Sequence, residues 1–363
     1  MAGFMIAAPR SGSGKTMVTC GILELLKRKQ KNPFSYKCGV LGIEGENLDS
    51  FFEQPQDIRE KYAAVSETHF PVVEGVMGYF DGLGGDTTAA SSWEVADILN
   101  LPVVLVVDAK GASLSLAALI KGFQVFQGES QSSQANKNGN HIQAVILNRI
   151  SPMLYPRMKA VIEKKTGVLV AGYVPELDFW QVGSRHLGLV LPGEIENLQE
   201  QMRQLGDCLE KTLDVDVLLK LGEKADIDVL GSVTVTADGS SQKCEAQKNA
   251  DLVLQNQFAG EKISHSAIPI RLGVAWDEAF CFYYRDNLEF LEKQGVQIVQ
   301  FSPVHDKHLP DDLDGLLLGG GYPELYAKAL EENETIRNEI RRKAEDRRKI
   351  CPFWQSAAVI SIF

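Results

Sequence analysis

The run Ser11-Gly12-Ser13-Gly14-Lys15-Thr16 follows a short apolar segment, Phe4 to Ala8, and opens a helical pattern from about Lys15 to Lys29. Strand, glycine-rich turn, then helix is the setting that a phosphate-binding loop requires, and it leaves few folds open. Glycines let successive backbone N–H groups approach phosphate oxygens, and the helix N-terminus adds positive potential. Ser11, Gly12, Ser13, Gly14, Lys15 and Thr16 are therefore the candidate nucleotide-binding residues. Lys15 would reach the β- and γ-phosphates and the Thr16 hydroxyl would ligate Mg2+, so ATP and Mg2+ are the expected cofactors. The G-x-x-x-x-G-K-[ST] pattern is imperfect, because Pro9 stands where the first glycine usually does. The plainer alternative is a Gly/Ser turn capping a helix.

The chain around this loop predicts an α/β fold. Apolar strand-like segments recur at Phe70–Val76, Val103–Val107, Ala144–Leu147 and Leu169–Tyr173, and helical periodicity fills Ser92–Leu99, Leu114–Phe126 and Pro152–Thr166. Continuous apolar strands separated by helices indicate a parallel sheet covered on both faces. One or two terminal helices are expected over Glu194–Lys220. From Ala225 to Ile268 the composition turns to Ser, Gln, Asp, Lys and Gly, which reads as a linker. Strands then return at Arg271–Trp276, Val296–Phe301 and Gly315–Leu318, with helices at Asn287–Gln294 and a long charged one from about Tyr322 to Arg348. The expected organisation is a phosphate-loop α/β domain over 1–224, a linker over 225–268 and a partial second α/β domain over 269–363.

Composition serves mainly to exclude. A length of 363 residues suits two domains, and a net charge of −11 suits neither nucleic acid nor an anionic membrane surface. The longest apolar runs are too short to span a bilayer, and the N-terminus lacks the basic region of a signal peptide. Six scattered cysteines form no C-x-x-C pair and have no histidine at metal-ligand spacing. Reduced thiols in a cytoplasmic protein are the simple expectation.

Three further polar residues stand at strand ends. Glu74 closes an apolar strand at the edge where ligands bind in open α/β sheets, and would hold Mg2+ directly or through water; alone, such an acid is as readily a cap. Asn148 closes Ala144–Leu147 and would hydrogen-bond adenine, or serve as a turn residue. Lys37 follows the strand-like Phe34-Ser35-Tyr36 and is otherwise a surface lysine.

These residues belong to a larger set of runs: Val73-Glu74-Gly75-Val76-Met77-Gly78-Tyr79-Phe80-Asp81-Gly82, Val106-Val107-Asp108-Ala109-Lys110-Gly111, Ile146-Leu147-Asn148-Arg149, Arg185-His186-Leu187-Gly188-Leu189, Phe280-Cys281-Phe282-Tyr283-Tyr284, Phe301-Ser302-Pro303 and Gly319-Gly320-Gly321-Tyr322-Pro323-Glu324. In that order they resemble the cobyrinate a,c-diamide synthase family of cobalamin biosynthesis, over nearly the whole chain except the linker. The resemblance implies a dethiobiotin-synthetase-like domain followed by a class I glutaminase-like domain. The implied reaction is ATP- and glutamine-dependent amidation of the a and c acetate carboxylates of cobyrinate through an acyl phosphate. Lys15, Lys37 and Glu74 would be its catalytic residues, Thr16 and Glu74 would hold the metal, and Gly319, Gly320 and Gly321 would form an oxyanion segment. The implied partners are small molecules: a corrinoid, ATP, and glutamine or ammonia. The oligomeric state stays open, a homodimer being one arrangement.

The chain departs from the family pattern twice. After Lys37-Cys38-Gly39 the family's Pro-Asp-Tyr-Ile-Asp-Pro stretch, which carries acids facing the transferring phosphate, is absent, and the chain runs on through Val40-Leu41-Gly42 to Asn47-Leu48-Asp49. The second departure is at the C-terminus. A glutaminase needs a cysteine nucleophile on a strand-to-helix elbow, which the family writes Ala-Glu-Cys-Gly-Gly. Here that place is taken by Phe353-Trp354-Gln355-Ser356-Ala357-Ala358-Val359-Ile360-Ser361-Ile362-Phe363. Read from the third base of the Phe353 codon, permitted codons give Leu-Ala-Glu-Cys-Gly-Gly-Tyr-Leu-Tyr-Phe, so the tail is expected to be the elbow out of frame. Cys351 precedes the elbow and Cys281 reads as a buried small side chain, which leaves no glutaminase nucleophile in the sequence. Alternatives that remain open are a sister amidase acting on hydrogenobyrinate or nickel-sirohydrochlorin, a non-catalytic nucleotide-binding remnant, and a partition-type ATPase, whose signature lysine falls near Arg10. The run Gly319–Glu324 speaks against the last.

Overall fold

The computed structural model describes residues 3–38, 46–126, 141–180, 197–223, 269–345 and 353–354. The expected linker, Arg185–Leu189, the shortened segment after Gly39 and the tail beyond Trp354 lie outside the described residues. The chain divides into two compact units, Met1–Val229 with Phe282–Asp286, and Leu230–Cys281 with Asn287–Phe363.

The first unit is built on a parallel sheet of strands β1 (Phe4–Ala7), β2 (Pro33–Cys38), β3 (Glu46–Leu48), β4 (Phe70–Glu74), β5 (Val103–Asp108), β6 (Ile142–Asn148) and β7 (Leu169–Val174). Their spatial order is β3-β2-β4-β1-β5-β6-β7. Strand alternation loads both faces. Met5, Ala7, Val103, Leu105 and Val107 enter one apolar cluster, while Phe4, Ile6, Val104 and Val106 enter the other. Helices α1 (Lys15–Arg28), α6 (Leu198–Thr212) and α7 (Val215–Glu223) contribute to the second cluster. Helices α2 (Pro55–Ser66), α3 (Ser92–Leu99), α4 (Leu114–Val125) and α5 (Tyr155–Thr166) contribute to the first. This is the doubly covered sheet expected from the apolar runs.

Local chemistry sets the helix ends. Ser91 caps α3 by accepting from Glu94 N at 3.2 Å, and the Glu94 carboxylate reaches back to Ala90 N at 2.7 Å. Asn100 and Gly167 end α3 and α5 in left-handed conformations. The expected terminal helical stretch is two helices, because the chain turns extended at Leu213 and Asp214 N bonds to Ala171 O beside β7.

The second unit has strands β8 (Ile270–Ala275), β10 (Val296–Phe301), β11 (Gly315–Leu318) and β13 (Phe353–Trp354) in the order β10-β8-β11-β13, all parallel. A two-stranded ladder joins β9 (Phe280–Phe282) to β12 (Gly320–Gly321). Helix α8 (Arg285–Lys293) precedes β10. The long helix expected over Tyr322–Arg348 is instead a 3-10 turn at Pro323–Leu325, then α9 (Ala327–Glu332) and α10 (Glu334–Glu345). The break falls at Asn333, whose side-chain amide donates to Pro303 O at 3.0 Å and Asp306 O at 2.7 Å. Tethering that residue to the loop after β10 takes it off the helical path. Leu330, Ile336 and Ile340 then pack with Phe301, Leu316 and Leu318 in a core of the unit's own.

Candidate active site

Strand register brings the polar residues together at the C-terminal edge of the first sheet. Ile6 of β1 pairs with Glu74 of β4, Glu74 pairs with Lys37 of β2, and Asp108 of β5 pairs with Asn148 of β6. The glycine-rich loop leaves β1 between these neighbours, the place where open α/β sheets bind ligands.

The loop has the backbone that phosphate binding needs. Gly12 and Gly14 have φ of 74° and 96°, the left-handed region. Around Gly12 a Cβ would meet nothing within 4 Å, so that side of the loop is open. At Gly14 a Cβ would lie 2.2 Å from Asn148 Nδ2. Ser13 is buried and its hydroxyl donates to Arg10 O at 2.9 Å. Asn148 donates through Nδ2 to Ser13 O at 2.8 Å and accepts from Arg149 N at 2.9 Å. Asn148, expected either to bind adenine or to serve as a turn residue, thus ties the end of β6 to the loop.

Lys15 is buried, with Nζ on the Met77 carbonyl and 3.5 Å from Arg10 O. Burial pulls its pKa below the ordinary lysine value; the Glu74 carboxylate opposes this, and the Lys37 ammonium adds to it. Glu74 is equally buried, and its Oε1 accepts from Thr16 Oγ1 at 2.6 Å and from Lys37 Nζ at 3.2 Å. Thr16, Glu74, Lys37 and Lys15 thus form one cluster drawn from strands β2 and β4 and the first turn of α1. Thr16 and Glu74 offer hard oxygen donors, the type Mg2+ takes in small number beside substrate phosphates.

Three residues of the site carried no assigned role in the sequence reading. Asp81 Oδ2 accepts from Gly78 N at 2.8 Å, and its charge favours the protonated form of Lys15. Gly78 is required there, since a Cβ would fall 2.3 Å from Asp81 Oδ2 and 2.7 Å from Pro9 O. Asp108 accepts from Arg149 Nε at 2.9 Å, and Arg149 Nη2 also contacts it. All three lie inside runs already singled out; Asp108 ends β5 and Arg149 directly follows β6, a strand-end signal that Asp81, on the loop beyond β4, does not carry.

In the second unit, Gly320 and Gly321 lie in the ladder with β9, and a Cβ on Gly321 would sit 2.0 Å from Ala279 O. Close backbone approach therefore dictates that glycine. Cys281 lies in the middle of β9 on the same ladder and is half-buried, not fully buried as its sequence setting suggests. Cys244 and Cys351 fall outside the described residues. Among the described residues no helix is long and apolar enough to cross a membrane.

The family described as the CobQ/CobB/MinD/ParA nucleotide binding domain matches residues 4–189, and the CobB/CobQ-like glutamine amidotransferase domain matches residues 271–352. Cobyrinate a,c-diamide synthase of Syntrophotalea carbinolica is 35% identical over 354 residues, 93% of this chain and 68% of that protein. The protein of that name from Clostridium tetani is 33% identical over 356 residues, 95% of this chain and 71% of its own. The Streptococcus sanguinis one is 36% identical over 361 residues, 96% and 71%. With a nucleotide-binding sheet, a glutamine amidotransferase domain and relatives matched along both, the chain belongs to the cobyrinate a,c-diamide synthase family.

Proposed function

We propose that the chain amidates the a and c acetate carboxylates of cobyrinate, one after the other, at the expense of ATP. The observation that carries the proposal is the convergence of Thr16 Oγ1 and Lys37 Nζ on Glu74 beside a left-handed Gly14 loop. A substrate carboxylate oxygen attacks the terminal phosphorus of ATP, the bond to ADP breaks, and an acyl phosphate results. Ammonia then attacks the acyl carbon, loses a proton and expels inorganic phosphate, leaving the amide. Such a transfer asks the protein chiefly for positioning and charge neutralisation.

The residues divide that work. Loop N–H groups from Ser11 to Thr16 cradle the polyphosphate, while Lys15 moves from the Met77 carbonyl onto the β- and γ-oxygens. Lys37 and Lys15 share the charge of the transferring group. Asn148 keeps the loop in register and is the proposed contact to adenine. Thr16 and Glu74 would hold Mg2+, which when bound neutralises phosphate charge. Ammonia is the proposed nitrogen donor, because the sequence offers no glutaminase nucleophile to release it from glutamine; Gly319, Gly320 and Gly321 are the proposed oxyanion segment of the second unit. Corrinoid, ATP and ammonia are thus the partners of the proposal. A reaction consuming ATP belongs in the cytoplasm, where Cys20, Cys38 and Cys208 would stay reduced thiols.

The test is ATP-dependent amide formation on cobyrinate, run once with glutamine and once with ammonium. Lys15→Ala should lower turnover by about 100-fold or more with either nitrogen source, since a contact made to the transferring group is removed. Undiminished turnover in that variant would show that the loop does not carry the chemistry.

A further inference from the structure

Asp108, at the end of β5, serves two guanidinium groups with one carboxylate. Arg149 takes both oxygens, with Nε at 2.9 Å from Oδ1 and Nη2 on Oδ2, and Lys110 N adds a third donor at 3.2 Å from Oδ1. Arg149 is held in place. Its φ is 58°, its N–H donates to Asn148 Oδ1 at 2.9 Å, and Nη2 lies 3.5 Å from Gly12 O. Arg10 reaches the same carboxylate through a single nitrogen, 3.4 Å from Oδ2, with its side chain 74% exposed.

Two positive charges on one negative charge leave a net cation at the rim of the phosphate loop. Arg10 is the one free to move. Its backbone is fixed, because its carbonyl accepts from Ser13 Oγ at 2.9 Å and lies 3.5 Å from Lys15 Nζ. Its guanidinium sits on an already satisfied acid in a long, exposed contact, the kind of ion pair that contributes little. A phosphate offers the same group shorter, forked hydrogen bonds.

We propose that Arg10 is a further cation of the phosphate site: on nucleotide binding it leaves Asp108 for the γ-phosphate oxygens, while Arg149 stays behind as the partner of that acid. The inference rests on reading the Ser11–Thr16 loop as the phosphate site and adds to it a residue that touches the transferring group. Asp108 is then a holding site that keeps Arg10 beside the loop until substrate arrives.

The experiment is calorimetric titration of the full chain with ATP and with ADP, in the presence of Mg2+, for the parent, Arg10→Ala and Lys15→Ala. Arg10→Ala should weaken ATP binding about tenfold and ADP binding by less than about twofold, because ADP lacks the phosphate that Arg10 contacts. Its melting temperature should match the parent's, as the side chain is exposed. Equal weakening of ATP and ADP, or ATP affinity within about twofold of the parent, would overturn the assignment. Retained ATP affinity in Lys15→Ala would instead remove the phosphate-site reading. A loss in Lys15→Ala with none in Arg10→Ala removes only the role of Arg10.

Discussion

At the scale of single residues, Gly14 is where backbone conformation and site chemistry meet. A Gly14→Ala chain must hold a Cβ at φ 96° and 2.2 Å from the Asn148 amide. The left-handed conformation alone costs about 1–2 kcal/mol, and Asn148 cannot yield without releasing Ser13. Urea unfolding and ATP titration should therefore both weaken; parent-like ATP affinity would mean the loop tolerates another backbone. Asp108 makes a pH-dependent prediction. Burial pushes its pKa up, but the hydrogen bonds from Arg149, Lys110 N and Arg10, with the Arg149 charge, together outweigh that and leave it below the ordinary aspartate value. A depressed folded pKa means the stabilisation is complete above the unfolded value and is lost as pH falls through the folded one. Asp108→Asn should thus melt earlier than the parent near neutral pH, and the gap should close below about pH 4. A gap constant with pH would show that the ion pair contributes nothing. Lys15, Thr16 and Glu74 were legible because a contiguous motif and one strand end carry them. The Asn148–Ser13 and Asp108–Arg149 pairs were not, because each needs the register of separate strands before its partners meet.

Among elements, α1 shows how packing behind the site supports it. Gly21 of α1 faces α6, and a Cβ there would lie 2.1 Å from Leu209 Cδ1. On α6, Gly206 makes room for Arg28, which binds Glu24, Asp207, Glu210 and the Arg203 carbonyl. The two helices therefore approach through small residues and are clasped at one end of α1. Gly21→Val should overpack this seam and destabilise the first unit by about 1–3 kcal/mol. Because α1 begins at Lys15, the same variant should bind ATP more weakly, in a chain that still folds. Denaturant curves with parallel nucleotide titrations check both; an unchanged midpoint would show that α6 simply moves aside. Apolar periodicity made β1, β4, β5, β6, β7 and α1 legible. It missed β3, which has only three residues at the sheet's edge, and α2, whose buried face is only Ile58 and Tyr62. It also ran α9 and α10 together, since a helix broken by a tethered Asn333 keeps its charged composition across the break.

For the molecule as a whole, the two units have separate cores. The first buries apolar side chains on both faces of a seven-stranded sheet, and the second gathers Phe280, Phe301, Leu316 and Leu330 around a four-stranded one. Every residue proposed to touch nucleotide, from Arg10 to Asn148, lies in the first unit. Separate cores unfold in separate steps unless a large apolar surface joins them. Calorimetry of the full chain should accordingly show two transitions. MgATP at about 100 times its dissociation constant should stabilise the first unit by about 2.7 kcal/mol, since ligand binding to the native form shifts only the equilibrium it is coupled to. The other transition should stay where it was. Lys15→Ala should abolish the shift at the same ATP concentration without merging the transitions. A single transition that moves with ATP would show instead that the two cores fold as one.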